Sequence, residues 1–175
     1  MRLLKIVTAA VFMLGVTWVL FQGLGHDPRA LPSPLIGKPL PAFELVAIDG
    51  SQVSSAQLRG RPTIINSWAS WCPECVAEYS VLLAAQRRYG PRVAIVGVLY
   101  QDQASNALAF LARYGDGGWR NLVDDGGRLA IDFGVTGPPE SYFIDAEGIV
   151  RFKQFGAVTA AVIDDELVPL LPAGK

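Results

Sequence analysis

Two cysteines separated by two residues, at the junction of a predicted strand and a predicted helix, restrict this sequence more than any other feature. Cys72 and Cys75 are the only cysteines in the chain. The apolar run from Thr63 to Trp68 before them is typical of a buried strand, and apolar residues recur at helical spacing after them. Cys72 is therefore expected at a helix N-terminus, where unpaired N–H groups and the positive dipole end favour a thiolate. This placement predicts a reactive dithiol.

The two sulfurs are expected to act in sequence. Cys72 is the attacking thiolate, and Cys75, one turn later and facing the core, attacks the mixed disulfide that Cys72 forms. Pro73 is tolerated between them because its missing N–H falls in the first helical turn. An exchange of this kind needs no metal and no organic cofactor.

Other uses of a cysteine pair fit the sequence less well. A structural zinc site needs four ligands, and the chain has no further cysteine and a single histidine, His26, outside the predicted domain. Covalent haem attachment needs a histidine directly after the second cysteine, where Val76 stands. A structural disulfide stabilises a protein most when it closes a long loop, and the loop between Cys72 and Cys75 is short. A scaffold without redox chemistry would leave an exposed Cys72 without a purpose.

The N-terminal segment, residues 1–25, is long and apolar enough to be a membrane anchor. No charged residue follows Lys5 in this segment, and about 20 apolar residues suffice to cross a bilayer. Arg2 and Lys5 precede the apolar run, so the positive-inside rule predicts a single pass through the cytoplasmic membrane with the C-terminal domain in the periplasm. The length favours an uncleaved anchor over a signal peptide cleaved near Gly23-Leu24-Gly25.

Residues 26–40 are expected to form a proline-rich linker, and residues 41–175 a single α/β domain. Asp49-Gly50 between two apolar stretches predicts an N-terminal β-hairpin. Further strands are predicted at 93–98, 121–123, 141–144 and 149–153, and helices up to Tyr89, at 104–114, at 128–133 and from Thr159 to Pro169. This order predicts a mixed sheet with helices on both faces. A net charge of −1 without a basic block argues against a nucleic-acid partner.

A tryptophan directly before the two cysteines, followed far downstream by Gly137-Pro138-Pro139, resembles the thioredoxin superfamily. The anchor, the stretch from Trp68 to Cys75 and the stretch from Gly134 to Asp145 together resemble the CcmG/DsbE-like thiol-disulfide proteins of cytochrome c maturation. The resemblance implies a thioredoxin-like fold in which Pro139 is cis and its loop lies beside the dithiol. Pro138 stands where the family usually has a small residue, and this departure affects substrate fit more than chemistry.

The resemblance also implies a function, that of a protein disulfide reductase. Members of this family reduce a disulfide in apocytochrome c, or in a partner that carries it, before haem attachment. A membrane electron carrier of the DsbD or CcdA type then returns them to the dithiol form. A general extracytoplasmic thioredoxin-like reductant and a peroxide-reducing relative are the alternatives. Peroxidases need Thr and Arg beside the reactive sulfur, whereas Trp71 precedes Cys72.

Five residues are predicted to support the dithiol: Trp71, Pro73, Glu74, Pro139 and Glu140. Trp71 is expected to cover the disulfide and to contact the partner protein. The charge of Glu74 is expected to oppose the Cys72 thiolate, and a less stable thiolate makes the dithiol more reducing.

Two carboxylates, those of Glu140 and Glu78, and the side-chain amide of Asn66 bear on proton transfer. Asn66 occupies the position at which thioredoxins have a buried aspartate, so proton transfer at Cys75 is expected to fall to Glu140 or to water. Glu140 follows Pro139, so thioredoxin-like packing would point its side chain toward the dithiol pocket, and a place in a surface turn is the alternative. Glu78, in the first part of the helix, is expected either to complement the helix dipole or to tune the site.

Overall fold

A five-stranded mixed sheet organises the larger part of the chain, with its strands in the order 120–123, 94–99, 63–68, 140–144 and 150–155. The computed structural model describes residues 2–24 and 33–172. The central strands β3 (Thr63–Trp68) and β4 (Ala94–Leu99) are parallel and completely buried, and β5 (Arg120–Val123) continues the parallel part. β6 (Glu140–Ile144) runs antiparallel to β3, and β7 (Val150–Phe155) runs antiparallel to β6. A separate hairpin of β1 (Glu44–Val46) and β2 (Gln52–Ser54) precedes the sheet.

Helices cover both faces of this sheet. Alternate residues of a strand point to opposite faces, and β3 illustrates the division. Ile64 packs with Ala85 and Tyr89 of α2 (Pro73–Tyr89). Its neighbour Ile65 packs instead with α4 (Arg128–Phe133), in the same cluster as residues of the β1–β2 hairpin. Helix α3 (Ala104–Tyr114) joins α2 around Trp68. The predicted mixed sheet with helices on both faces and an N-terminal hairpin is therefore confirmed.

The N-terminal segment forms a compact unit of its own, Met1–Pro32, distinct from Ser33–Lys175. Its helix α1 (Arg2–Leu24) is continuous, and the side chains from Arg2 to Gln22 are exposed. By length and composition this helix could cross a membrane, and a signal sequence would fit the same description.

The predicted linker, residues 26–40, extends too far into the domain. Residues 26–32 lie outside the described part of the chain, but Ser33 is buried and the backbone from Gly37 to Leu40 pairs with the sheet edge. The Gly37 N–H donates to the Val150 carbonyl at 2.8 Å, and the Val150 N–H donates to the Lys38 carbonyl at 3.0 Å. Prolines resist helix but are compatible with such an extended edge.

The C-terminal helix also differs from its prediction. In place of one helix from Thr159 to Pro169, the structure has a short α5 (Ala160–Val162), a π-helical turn (Ile163–Leu167) and a 3-10 turn (Val168–Leu170). Proline has no N–H to continue the α-helical hydrogen bonds, so the last turn cannot be regular. The helices at 104–114 and 128–133 and the strand at 63–68 have the predicted bounds.

A hydrogen bond across β4 positions the residue at which β3 ends. The indole N–H of Trp68 donates to Oδ1 of Asn121 at 3.0 Å, and the ring packs against Phe110 with centroids 4.9 Å apart. The two polar groups can meet because Gly97 lies between them and has no side chain. A Cβ at Gly97 would clash with Oδ1 of Asn121 and lie 2.7 Å from Nε1 of Trp68.

Gly97→Ala should therefore destabilise the protein. The added methyl group overpacks the core and separates two buried polar groups, which together cost about 2–5 kcal/mol in the free energy of unfolding. Urea titration of the variant measures the loss. Gly137→Ala is the matched control, because a Cβ there meets no atom within 4 Å. Equal stabilities of the two variants would contradict the proposed role of Gly97.

Candidate active site

The two cysteines form a disulfide at the N-terminus of α2. Cys72 is the residue that caps the helix, and Pro73 occupies the first helical turn, as expected from its missing N–H. The backbone N–H of Cys75 donates to Sγ of Cys72 at 3.1 Å. A helix N-terminus that directs an N–H group at this sulfur stabilises it as a thiolate once the disulfide is reduced.

Both cysteines are buried in this oxidised form, Cys72 at 3% and Cys75 at 2% exposure. The burial of Cys75 agrees with its expected position toward the core. The expectation of an exposed Cys72 is wrong, because Cys72 packs in one cluster with Trp68, Ala69 and residues of α3. The sequence pattern placed Cys72 at the junction of a strand and a helix but did not reveal the hydrophobic cluster in which it is buried.

Trp71 is the exposed group beside the disulfide, with 56% of its surface accessible. Its indole N–H makes a long hydrogen bond of 3.4 Å to the carbonyl of Gln101. A large exposed aromatic side chain next to a reactive sulfur is suited to contact another protein. Its predicted contact with the partner stays a prediction.

The loop that contains Pro139 reaches the same end of the sheet. The Pro138–Pro139 peptide bond is cis, as the resemblance implied. Ser67 pairs with Glu140, and continuation of this antiparallel register sets Pro139 opposite Trp68, where the chain leaves β3 toward Cys72. The Pro139 carbonyl accepts a hydrogen bond from the Gly156 N–H at 2.9 Å. Because this carbonyl is already hydrogen-bonded and proline has no N–H, backbone groups that bind a partner would belong to the residues before Pro139.

The prediction that Glu140 points toward the dithiol pocket is wrong. Glu140 lies on the α4 face of β6, opposite to the face that packs against α2, and is almost completely buried. Its Oε2 atom pairs with Nζ of Lys153 at 2.8 Å, and its Oε1 atom accepts hydrogen bonds from the N–H and the hydroxyl of Thr136 at 3.0 and 2.5 Å. Nζ of Lys153 also donates to the Gly134 carbonyl at 2.9 Å. This buried ion pair holds the loop that leads to Pro139.

The buried carboxylate beneath the cysteines belongs to Glu78. Its Oε1 atom accepts a hydrogen bond from the Asn66 side-chain amide at 2.9 Å, and its Oε2 atom accepts one from the Val158 N–H at 2.8 Å. Glu78 is only 2% exposed. Complementing the helix dipole needs neither burial nor hydrogen bonds to distant segments, so these contacts indicate a further role for Glu78.

Burial raises the pKa of Glu78 to about 7, while hydrogen bonds from Val158 and Asn66 oppose the rise and the charge of Glu74 adds to it. A carboxyl group with such a pKa can take up and release a proton near neutral pH. Glu78 follows Cys75 by three residues on α2, and both are buried, so the two side chains are neighbours on one helix face. The helical spacing from Cys75 was the sequence signal that could have identified Glu78 in place of Glu140.

Glu74 is exposed on the first turn of α2. Its Oε2 atom lies 3.8 Å from the position that a Cβ would take at Gly156, and its charge acts on Glu78. The carboxylate thus extends toward the segment that binds the Pro139 carbonyl. Its predicted opposition to the Cys72 thiolate stays a prediction. In the described residues, no group of three or more His, Cys, Asp or Glu side chains could hold a metal ion.

Comparisons with known proteins agree with this geometry. The Redoxin family profile matches residues 35–167. A thiol:disulfide interchange protein DsbE of Allochromatium vinosum is 41% identical over 160 residues, covering 90% of this chain and 87% of the relative. The proteins of the same name in Pseudomonas fluorescens biotype C and Escherichia coli K12 are 40% and 38% identical, covering 95% and 83% of this chain and 92% and 79% of the relatives.

Solved structures show the same fold. A thiol:disulfide interchange protein DsbE of Chlorobium tepidum superposes with a TM-score of 0.71 at 25% identity, over 77% of this chain and 96% of that chain. The structure of MTB dsbF superposes with a TM-score of 0.68 at 29% identity, over 73% of this chain and 94% of that chain.

The raised pKa of Glu78 predicts how stability depends on pH. The ordinary carboxyl pKa of the unfolded chain is about 4.3, so between that pH and about 7 the folded protein holds a proton that the unfolded chain has lost. Stability is therefore highest below the unfolded pKa and falls by about 3 kcal/mol as pH rises through the folded pKa. Glu78→Gln should remove this part of the slope in urea titrations at pH 5, 7 and 8.5.

The matched control is Glu74→Gln, which changes an exposed carboxyl group one turn earlier on α2. It should leave most of the slope in place. If wild type and Glu78→Gln lose stability equally between pH 5 and 8.5, Glu78 does not carry the proton.

Proposed function

Because this chain belongs to the Redoxin family and to the DsbE group of thiol:disulfide interchange proteins, we propose that it reduces disulfides of apocytochrome c, or of a partner that carries it, before haem attachment. The fold is thioredoxin-like, and the activity is that of a thiol-disulfide oxidoreductase with a Cys72–Cys75 pair. The observation that carries the proposal is the match to DsbE proteins over nearly the whole chain together with this pair at a helix N-terminus.

The first step of the proposed reaction takes place at Cys72. In the reduced protein, the Cys72 thiolate attacks one sulfur of the partner disulfide, forms a mixed disulfide and releases the other partner sulfur as a thiolate. The helix N-terminus and the N–H of Cys75 stabilise the attacking thiolate. Trp71, exposed beside the disulfide, provides the first contact surface for the partner.

The second step takes place at Cys75. Its thiol loses a proton and attacks Sγ of Cys72, which forms the Cys72–Cys75 disulfide and releases the second partner sulfur. Two electrons have then passed to the partner, and its released sulfurs are thiolates that take up protons afterwards. The buried thiol needs a base, and Glu78 is suited to accept the proton directly or through water, because its pKa of about 7 permits both charge states. The proton moves on to solvent or to the released partner thiolate.

The proposed location is the periplasmic side of the cytoplasmic membrane. The apolar helix Arg2–Leu24 fits a single-pass anchor, and Arg2 and Lys5 at its start favour a cytoplasmic N-terminus. A reductant in an oxidising compartment has to be recharged. A membrane electron donor of the DsbD or CcdA type would supply the two electrons by attack on the exchangeable disulfide.

The Cys75→Ser variant tests the identity of the partner protein, because it traps the mixed disulfide. Without Cys75 the mixed disulfide on Cys72 is not resolved, so a covalent complex should accumulate in the membranes of the native cell and contain apocytochrome c or a thiol-handling partner. Non-reducing gels followed by mass spectrometry identify the trapped protein. Cys72→Ser is the matched control and should form far fewer complexes, because it lacks the attacking sulfur.

Two outcomes bear on the assigned substrate. Loss of mature c-type cytochromes in Cys75→Ser cells supports it. Normal maturation, with many unrelated exported proteins in the trapped complexes, would identify a general extracytoplasmic thioredoxin-like reductant instead.

A reporter enzyme that is active only after export, fused after Lys175, tests the topology. The full chain should give an active reporter that fractionates with the membrane, because an uncleaved α1 retains the protein there. A chain without residues 1–25 is the control and should give an inactive cytoplasmic reporter. Active reporter in the soluble periplasmic fraction would show that the segment is a cleaved signal peptide.

A further inference from the structure

Asp102, which lies outside the predicted site, is hydrogen-bonded directly to the loop that carries Cys72. Its Oδ2 atom accepts a hydrogen bond from the Ser70 N–H at 2.6 Å. Its Oδ1 atom accepts one from the Gln103 N–H at 2.8 Å and one from the Asn106 side-chain amide at 3.1 Å. Gln103 and Asn106 belong to the start of α3. The carboxylate thus joins the active-site loop to a helix that follows the next strand.

Two neighbours of Asp102 bind the same loop. The Tyr100 N–H donates to the Trp68 carbonyl at 2.9 Å, and the Gln101 carbonyl accepts the hydrogen bond from the Trp71 indole. Gln101 has a φ of +47°, which is uncommon for a residue with a side chain and is maintained only where the surroundings enforce it. Three consecutive residues after β4 therefore hold the chain between Trp68 and Trp71.

The hydrogen bonds keep Asp102 ionised. Burial opposes the charged form, but the hydrogen bonds from Ser70, Asn106 and Gln103 outweigh it, so the pKa of Asp102 lies below its usual range. A hydrogen bond to an ionised acceptor is about twice as strong as one between neutral groups. The Ser70 N–H is therefore held firmly at all but acidic pH.

The turn that Asp102 holds is the one that delivers Cys72 to the helix. Within it the Cys72 N–H donates to the Ala69 carbonyl at 3.2 Å, and Ser70 lies between these two residues. The Cys72 sulfur benefits from the helix N-terminus only while the turn keeps it there, since this effect falls off within one helical turn.

We propose that Asp102 is a positioning residue for thiol-disulfide exchange, which fixes the turn from Ala69 to Cys72 through the Ser70 N–H. The proposal rests on the thiol-disulfide chemistry alone and not on the identity of the partner. A failure of the partner assignment appears in the trapping experiment and leaves this proposal unaffected.

Two variants separate the positioning effect from the effect of charge. Asp102→Asn removes the charge but retains an oxygen that accepts from Ser70, whereas Asp102→Ala removes both. Loss of the charge favours the Cys72 thiolate in both variants. Loss of the turn disfavours it in Asp102→Ala alone. Asp125→Asn is the matched charge control, because Asp125 is exposed in the same cleft beside Trp71 and makes no hydrogen bond to the loop in the described part of the chain.

The measurement is the rate at which iodoacetamide alkylates Cys72 in the reduced full-length protein, followed from pH 5 to 9 by peptide mass. At pH 6, Asp102→Ala should react at least threefold more slowly than Asp102→Asn, with the midpoint of its pH profile at higher pH. Asp125→Asn should show only the effect of a lost negative charge, with the midpoint of its pH profile at or below that of wild type. A purely structural role would lower the stability of Asp102→Ala without moving this midpoint.

Identical pH profiles for Asp102→Ala and Asp102→Asn would overturn the proposal. If Asp102→Ala does not fold, Asp102→Ser takes its place, because a serine hydroxyl is too short to bind both Ser70 and Asn106. The same threefold difference from Asp102→Asn is then expected, and its absence again overturns the proposal.

Discussion

The buried carboxylate of Glu78 joins the three segments that meet beneath the disulfide. It belongs to α2, binds the side chain of Asn66 in β3 and binds the backbone of Val158 after β7. The Asn66 amide also donates to the hydroxyl of Ser141 in β6, so the connection extends across the sheet. A buried carboxylate is costly unless its oxygens are hydrogen-bonded. The Glu78 carboxylate therefore connects the segments around Cys75, and the same group is suited to accept the proton of the Cys75 thiol.

A second buried carboxylate has a different role because its surroundings differ. Glu140 lies on the opposite face of the sheet and is paired with Lys153, whose ammonium group also packs over the Phe155 ring at 4.2 Å. The oxygens of Glu78 are bound by neutral amides only. Burial favours the protonated form of the Glu78 carboxyl group, and the hydrogen bonds from the two amides only partly oppose this effect. One glutamate thus holds the loop that leads to Pro139, and the other is able to exchange a proton.

The site lies where the carboxyl ends of the parallel strands meet, as is general for α/β sheets. Trp68 ends β3 and is held by Asn121 of β5 across Gly97. The loop after β4 then holds the chain as far as Trp71. These contacts come from segments that are distant in sequence, and together they hold the turn that leads into α2. The reactivity of Cys72 is consequently a property of the whole sheet edge and not of the cysteine motif alone.

The sequence by itself determined the local elements and the chemistry. Apolar periodicity predicted β3, α3 and α4 with their observed bounds, and the spacing of Cys72 and Cys75 predicted the redox pair. The periodicity of apolar residues shows which residues share one face of a helix or strand. It does not show which distant segment packs against that face. Only the tertiary structure decided that Cys72 is buried, that the partner of Glu140 is Lys153, and that Glu78 is buried under Val158, because strand register and helix packing set these contacts between segments far apart in the chain.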